Sequence, residues 1–135
     1  MRIHTDGGAR GNPGLAACAF IATDDSGRLI HQQGFFLGMA TNNQAEYQAV
    51  IEALKWLLTL SPQLTALNFY LDSQLVVNQL KGEFKIKDRI LKIKNLEIKE
   101  LIKNCKFKIE NYWYVSRAQN TAADFLVNQT LNKNS

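Results

Sequence analysis

The hydrophobic period of this chain changes at one place. Before residue 43 apolar and β-branched residues come in short runs, and after it they recur at three and four residues. That switch restricts the fold to a sheet begun by consecutive strands and then covered by helices. Residues 3–5, 17–23 and 29–37 read as three strands, and the turn-forming "DDSG" between the second and third predicts an antiparallel meander. Ala45, Ala49 and Ala53, with Val50, Leu54, Leu57 and Leu58, predict a long amphipathic helix that stops near Ser61-Pro62. "ALNFYLD" (66–72) predicts a short apolar strand that turns sharply into a helix carrying Leu75, Val76 and Leu80. Asp88 is placed to cap the next helix, whose apolar face carries Ile90, Leu91, Ile98, Leu101 and Ile102. A strand over Phe107 and Ile109 follows, then a last helix capped by Asn120 or Thr121 and running to Leu131. This order predicts an α/β domain over 1–131, a mixed five-stranded sheet flanked by about four helices, with a frayed tail over 132–135.

At 135 residues the chain has the size of one domain. No run of about 18 apolar residues is present to span a bilayer. "RIHTDGG" near the start is not a signal peptide, so a cytoplasmic location is expected. Cys18 and Cys105 lack metal-ligand spacing and read as buried free thiols. The net charge of +4 is uneven: residues 81–108 hold ten of the sixteen basic side chains and four of the twelve acidic ones. Such a window suits a polyanion, although lysine-rich helix faces are commonly just solvated.

Four acids stand where turns and surface ion pairs do not explain them. Asp6 and Asp72 are read as ending strands, and Glu46 and Asp124 as lying near the starts of helices. In open sheets with crossover helices these positions meet at one rim, where ligands bind. Each has a plain alternative: Glu46 in a capping box with Asn43, Asp124 with Thr121, Asp72 as a cap, Asp6 as a turn residue. If all four converge, their mutual repulsion requires either protons or bound divalent cations, and hard oxygen ligands select magnesium or manganese over zinc. Two such ions roughly 4 Å apart serve in-line displacement at a phosphodiester and leave no need for a histidine base. His4 and His31 accordingly read as packed or surface imidazoles.

"TDGGARGNPG", "TNNQAEYQAVIEAL", "LDSQLVVNQL" and "NTAADFLVNQTL", in this order, resemble the type 1 ribonucleases H over essentially the whole chain. The resemblance implies the ribonuclease H-like fold and an endonuclease that cuts the RNA strand of RNA/DNA hybrids, leaving 3′-hydroxyl and 5′-phosphate ends; a monomer is the default expectation. It implies that Asp6, Glu46, Asp72 and Asp124 are the catalytic acids holding two Mg2+ ions, with Mn2+ as an alternative. Asn12, Asn42, Asn43 and Gln74 match positions that touch the minor groove and RNA sugars, a task suited to amides that both donate and accept. Thr41 matches a residue that holds a DNA phosphate, and its capping role is the competing reading. The loop "SRAQNTAA" lacks the histidine of many relatives, and Arg117 is expected to replace it in part electrostatically, with a plain surface arginine as the competing reading. A Trp- and Lys-rich insertion after the helix that follows Asp72 is also missing, leaving Lys81, Lys85 and Lys87 to grip the hybrid. Met39 stands where many relatives carry a basic residue. Two other readings compete: a noncatalytic nucleic-acid-binding module, or another nuclease or transferase of the same fold.

Overall fold

The structure is a computed structural model that describes residues 1–60, 66–105 and 107–134. Strands β1 (Arg2–Gly11), β2 (Gly14–Thr23) and β3 (Leu29–Ala40) form the antiparallel meander, followed by helix α1 (Asn42–Leu58). Then come β4 (Ala66–Leu71), α2 (Gln74–Leu80), α3 (Arg89–Asn104), β5 (Lys108–Tyr114), a 3-10 turn (Arg117–Gln119) and α4 (Thr121–Lys133). The sheet order is β3-β2-β1-β4-β5, with β4 parallel to both β1 and β5. The expected mixed five-stranded sheet with four helices is therefore the observed one.

Two boundaries differ from expectation in ways that bear on function. β1 does not end at residue 5 but runs through "DGGARG" to Gly11, because β2 pairs with it along its whole length, Asp6 opposite Ala19 and Gly11 opposite Gly14. Backbone pairing carries this glycine-rich stretch, which has no apolar period to announce a strand. The β1/β4 ladder, however, stops at His4 opposite Tyr70. Asp6 thus lies just past the point where β1 and β4 part, and the rim argument holds for that reason. At the other end α4 runs to Lys133, two residues past the expected boundary at 131, and Asn134 Nδ2 donates to the Thr130 carbonyl at 2.8 Å. Helix α1 ends at Leu58, and the stop expected at Ser61-Pro62 lies outside the described residues, as do Lys106 and Ser135.

Helices α1 and α3 cover one sheet face. Their shared core holds Ile3, Phe20, Phe69, Leu54, Leu57 and Ile98, each at most 2% exposed. Each such side chain contributes about 1.5–3 kcal/mol. Gly7 lets α1 approach: a Cβ there would overlap the Ala45 carbonyl and stand 2.5 Å from the Glu46 nitrogen. Asp88 caps α3 as expected, its Oδ1 accepting from Leu91 N at 2.9 Å. Leu91 and Ile98 are buried, whereas Ile90 is 49% exposed beside a hollow that it shares with Met39 and Lys94. On the opposite face α4 packs through Val127 and Leu131 against Ala17 and Ala19 of β2.

The lesser expectations divide. Cys18 is buried and Cys105 half-buried, both as free thiols. His4 stacks on Tyr70 and His31 on Trp56, as packed imidazoles. Among the described residues no helix is long and apolar enough to cross a membrane.

Candidate active site

The four acids reach one cleft of about 540 Å³ from four different elements. Asp6 comes from β1 beyond its ladder with β4, Glu46 from the second turn of α1, Asp72 from the residue after β4, and Asp124 from the first turn of α4. Oxygens of Asp6, Glu46 and Asp72 lie within 4.8 Å of one another, and Asp124 lines the same cleft.

None of them is spent on capping. Thr41 caps α1: its hydroxyl accepts from Gln44 N at 3.1 Å while Gln44 Oε1 accepts from Thr41 N at 3.0 Å. Asn43 and Glu46 therefore form no capping box. Ser73, not Asp72, caps α2, accepting from Val76 N at 3.3 Å. Helix α4 has no side-chain cap, so Asp124 makes no box with Thr121.

Glu46 shows what the cluster requires. Its Oε1 accepts from Gly7 N at 3.2 Å, but its Oε2 is buried without any donor among the described residues. A buried, unpaired acceptor costs about 1–3 kcal/mol, and more when charged. Burial, then the neighbouring charges of Asp6 and Asp72, raise the Glu46 carboxyl well above its ordinary range. Asp6 is pushed up to about 7, mainly by burial, with Asp72 and Asp124 adding to it and contacts to Glu46 and Gly7 opposing. Asp72 is raised by burial and by Asp124, against the Arg117 guanidinium and the Asn120 amide. An all-oxygen donor set with an orphaned oxygen and depressed acidity fits a hard divalent cation. Asp6, Glu46 and Asp72 are the residues placed to hold it, with Asp124 at the side.

The binding residues are distributed unevenly around this centre. Asn42 Oδ1 accepts from Ala9 N at 2.8 Å, and Asn12 Oδ1 accepts from Asn42 N at 2.9 Å. Both amide oxygens thus tie the β1–β2 turn to the start of α1. Neither Nδ2 has a partner among the described residues, so each can donate to a ligand. Asn43 and Arg117 line the cleft, and Gln74, the exposed first residue of α2, does not. Lys81, Lys85 and Lys87 are exposed between α2 and α3, outside the cleft lining.

Three cleft residues escape sequence reasoning. Arg10 follows Asp6 and Gly8 along one side of β1 and donates to Asn132 Oδ1 at 2.6 Å, a position visible only once β1 is known to reach Gly11. Asn128 donates to the Asp124 carbonyl at 3.1 Å and lies 3.4 Å from its Oδ1, as its i+4 spacing allows. Ser73 lines the cleft beside Asp72.

Residues 4–130 match the family model described as reverse transcriptase-like. The chain is 37% identical over 132 residues to Ribonuclease HI of Halobacterium salinarum, covering 96% of this chain and 64% of that protein. The crystal structure of RNase H1 from that archaeon superposes with a TM-score of 0.88 at 35% identity, over 98% of this chain and 97% of the other. The chain belongs to the type 1 ribonuclease H family. Another member, LC11-RNase H1 in complex with RNA/DNA hybrid, superposes with a TM-score of 0.90 at 35% identity, over 98% of this chain and 96% of the other. The chain spans only part of the length of some curated relatives, 35% of a bifunctional protein of Mycobacterium tuberculosis to which it is 37% identical over 130 residues, or 96% of this chain. The ribonuclease H fold expected from the four motifs is the one the family shares.

Proposed function

We propose that this chain is a divalent-cation-dependent endonuclease that hydrolyses the RNA strand of RNA/DNA hybrids, leaving 3′-hydroxyl and 5′-phosphate ends, by a two-metal-ion mechanism with Mg2+. The observation that carries this reading is the buried, donorless Glu46 Oε2 among three carboxylates whose oxygens lie within 4.8 Å. Family membership and the hybrid bound to LC11-RNase H1 support the substrate class.

Divalent cations at such a site supply an activated water and neutralise charge on the departing oxygen. Asp6, Glu46, Asp72 and Asp124 provide the oxygen ligands, and the Gly7 N–H fixes the Glu46 rotamer through its 3.2 Å bond. The Asn12 and Asn42 amides offer donors toward the 2′-hydroxyl side of the hybrid, joined by Asn43 and Gln74. Thr41 accepts through its lone pair in the capping box, which leaves its hydroxyl proton for a DNA phosphate oxygen. Arg117 and Arg10 are the cations that line the cleft, where a phosphate backbone must lie against four acids. A noncatalytic module would be marked by loss of one of those acids, and none is lost.

The test is a cleavage assay on hybrid, duplex DNA and duplex RNA of one sequence. Hybrid alone should be cut, in its RNA strand, and a chelator should stop the reaction. Undiminished cutting under chelation, or a preference for duplex DNA, would reject the reading.

A further inference from the structure

The residue just ahead of α4 departs from local rules in a way the four acids do not explain. Asn120 occupies the N-cap position, yet its side chain makes no capping bond, and its backbone (φ −123°, ψ 26°) is not the extended form of an ordinary cap. The side chain is instead buried at 2% exposure, with Nδ2 donating to the Thr5 carbonyl at 2.9 Å across 115 residues of sequence. Its Oδ1 is buried without a partner among the described residues. A forgone cap and an orphaned amide oxygen each destabilise the fold. Such local losses collect where function requires a geometry that local preference would not select.

Both ends of the Asn120 link lead to the cation cluster. Thr5 immediately precedes Asp6 on β1, and the Asn120 carbonyl accepts from Asp124 N at 3.1 Å. Elsewhere α4 meets the sheet through a seam of small and aliphatic side chains, Ala17 and Ala19 against Val127 and Leu131, and, toward its C-terminal end, through the exposed Arg10–Asn132 bond. The Asn120 bond is directional and buried, and it fixes the end of α4 that carries Asp124.

We propose that Asn120 is a positioning residue: by pinning α4 to the Thr5 carbonyl it holds Asp124 beside Asp6, Glu46 and Asp72, where it completes the oxygen ligands of the divalent-cation site. The inference rests on the cation-binding reading above. Asn120 is not itself a ligand of this site; its amide also favours the Asp72 carboxylate, so the route through Asp124 is the one the double variant below isolates.

The experiment is titration of the whole chain with Mn2+, counting free ion by electron paramagnetic resonance, for wild type, Asn120→Ala, Asp124→Asn and the double variant. Asn120→Ala should weaken Mn2+ binding by about tenfold, the size typical of a lost support behind a ligand. The double variant should bind no more weakly than Asp124→Asn alone, because the two changes remove one interaction. A general loosening of the fold, or action of the Asn120 amide through Asp72, would instead add to the Asp124→Asn effect. If Asn120→Ala is too unstable to titrate, Asn120→Ser restores a helix cap with a side chain too short for the Thr5 bond, and the same tenfold weakening is expected. Unchanged affinity in the Asn120 variants, additive effects, or no effect of Asp124→Asn would overturn the proposal. Failure of the wild type to bind Mn2+ would overturn the cation-binding reading itself.

Discussion

Asp72 is the acid of the cluster on which opposing fields act most visibly. Burial and Asp124 favour its protonated form, and Arg117, from the turn ahead of α4, favours the carboxylate. Replacing Asp72 by Asn keeps the shape and removes the charge. Turnover should fall at least about a hundredfold, equivalent to about 2.7 kcal/mol of lost transition-state stabilisation. The melting temperature without divalent ions should hold or rise, since a repelling charge is gone. Steady-state cleavage and a thermal melt check the two halves, and wild-type activity in the variant would end the assignment. Arg117 is exposed, so its attraction is screened and its share is smaller. Arg117→Ala should lower turnover severalfold while Arg117→Lys retains most of it. Equal turnover in all three would make Arg117 an ordinary surface arginine.

At the scale of elements, the basic window separates from the catalytic cleft. Lys81, Lys85 and Lys87 lie between α2 and α3 and line no part of the cleft, so neutralising them should leave turnover at saturating hybrid nearly intact. Their signature is the salt dependence of binding, because each phosphate left without its cationic partner takes about 0.9 off the log–log slope on a duplex. An unchanged slope would reduce the window to a solubility device. The same scale shows what the sequence makes readable. Strands and helices with a clear apolar period, such as β2, α1 and β4, are legible from their side chains alone. So is the convergence of the four acids, because strand ends and helix starts share a rim in this topology. The second half of β1 is not legible: "GGARG" is a strand only through its pairing with β2, and with it Arg10 is hidden. Asn120 is hidden for a related reason. Its letter predicts a cap, and only the approach of β1 from 115 residues away turns its amide elsewhere.

For the molecule as a whole, the acid cluster couples stability to pH and to divalent ions. Folding raises Asp6 from 3.8 to about 7, and raises Glu46 and Asp72 in the same direction. A carboxyl raised in this way binds its proton more tightly in the folded chain than in the unfolded one. For Asp6 the stabilising effect is complete below the unfolded value of 3.8 and is lost as pH climbs through about 7; Glu46 and Asp72 act in the same direction. Each group contributes at most about 1.4 kcal/mol per pH unit within its window. Without divalent ions the chain should therefore melt at a lower temperature at about pH 8 than at about pH 5. Cations that bind only the folded cluster oppose this loss and compete with the protons. Millimolar Mg2+ should raise the melting temperature clearly at the higher pH and scarcely at the lower one. Using the difference between Mg2+ and chelator at each pH cancels the titration of groups remote from the cleft. Asp72→Asn should shrink that difference, because it removes a ligand charge and one of the repelling carboxylates together. A Mg2+ effect of equal size at both pH values would show that the ions act elsewhere than on these acids, and the two-metal reading would lose its physical basis.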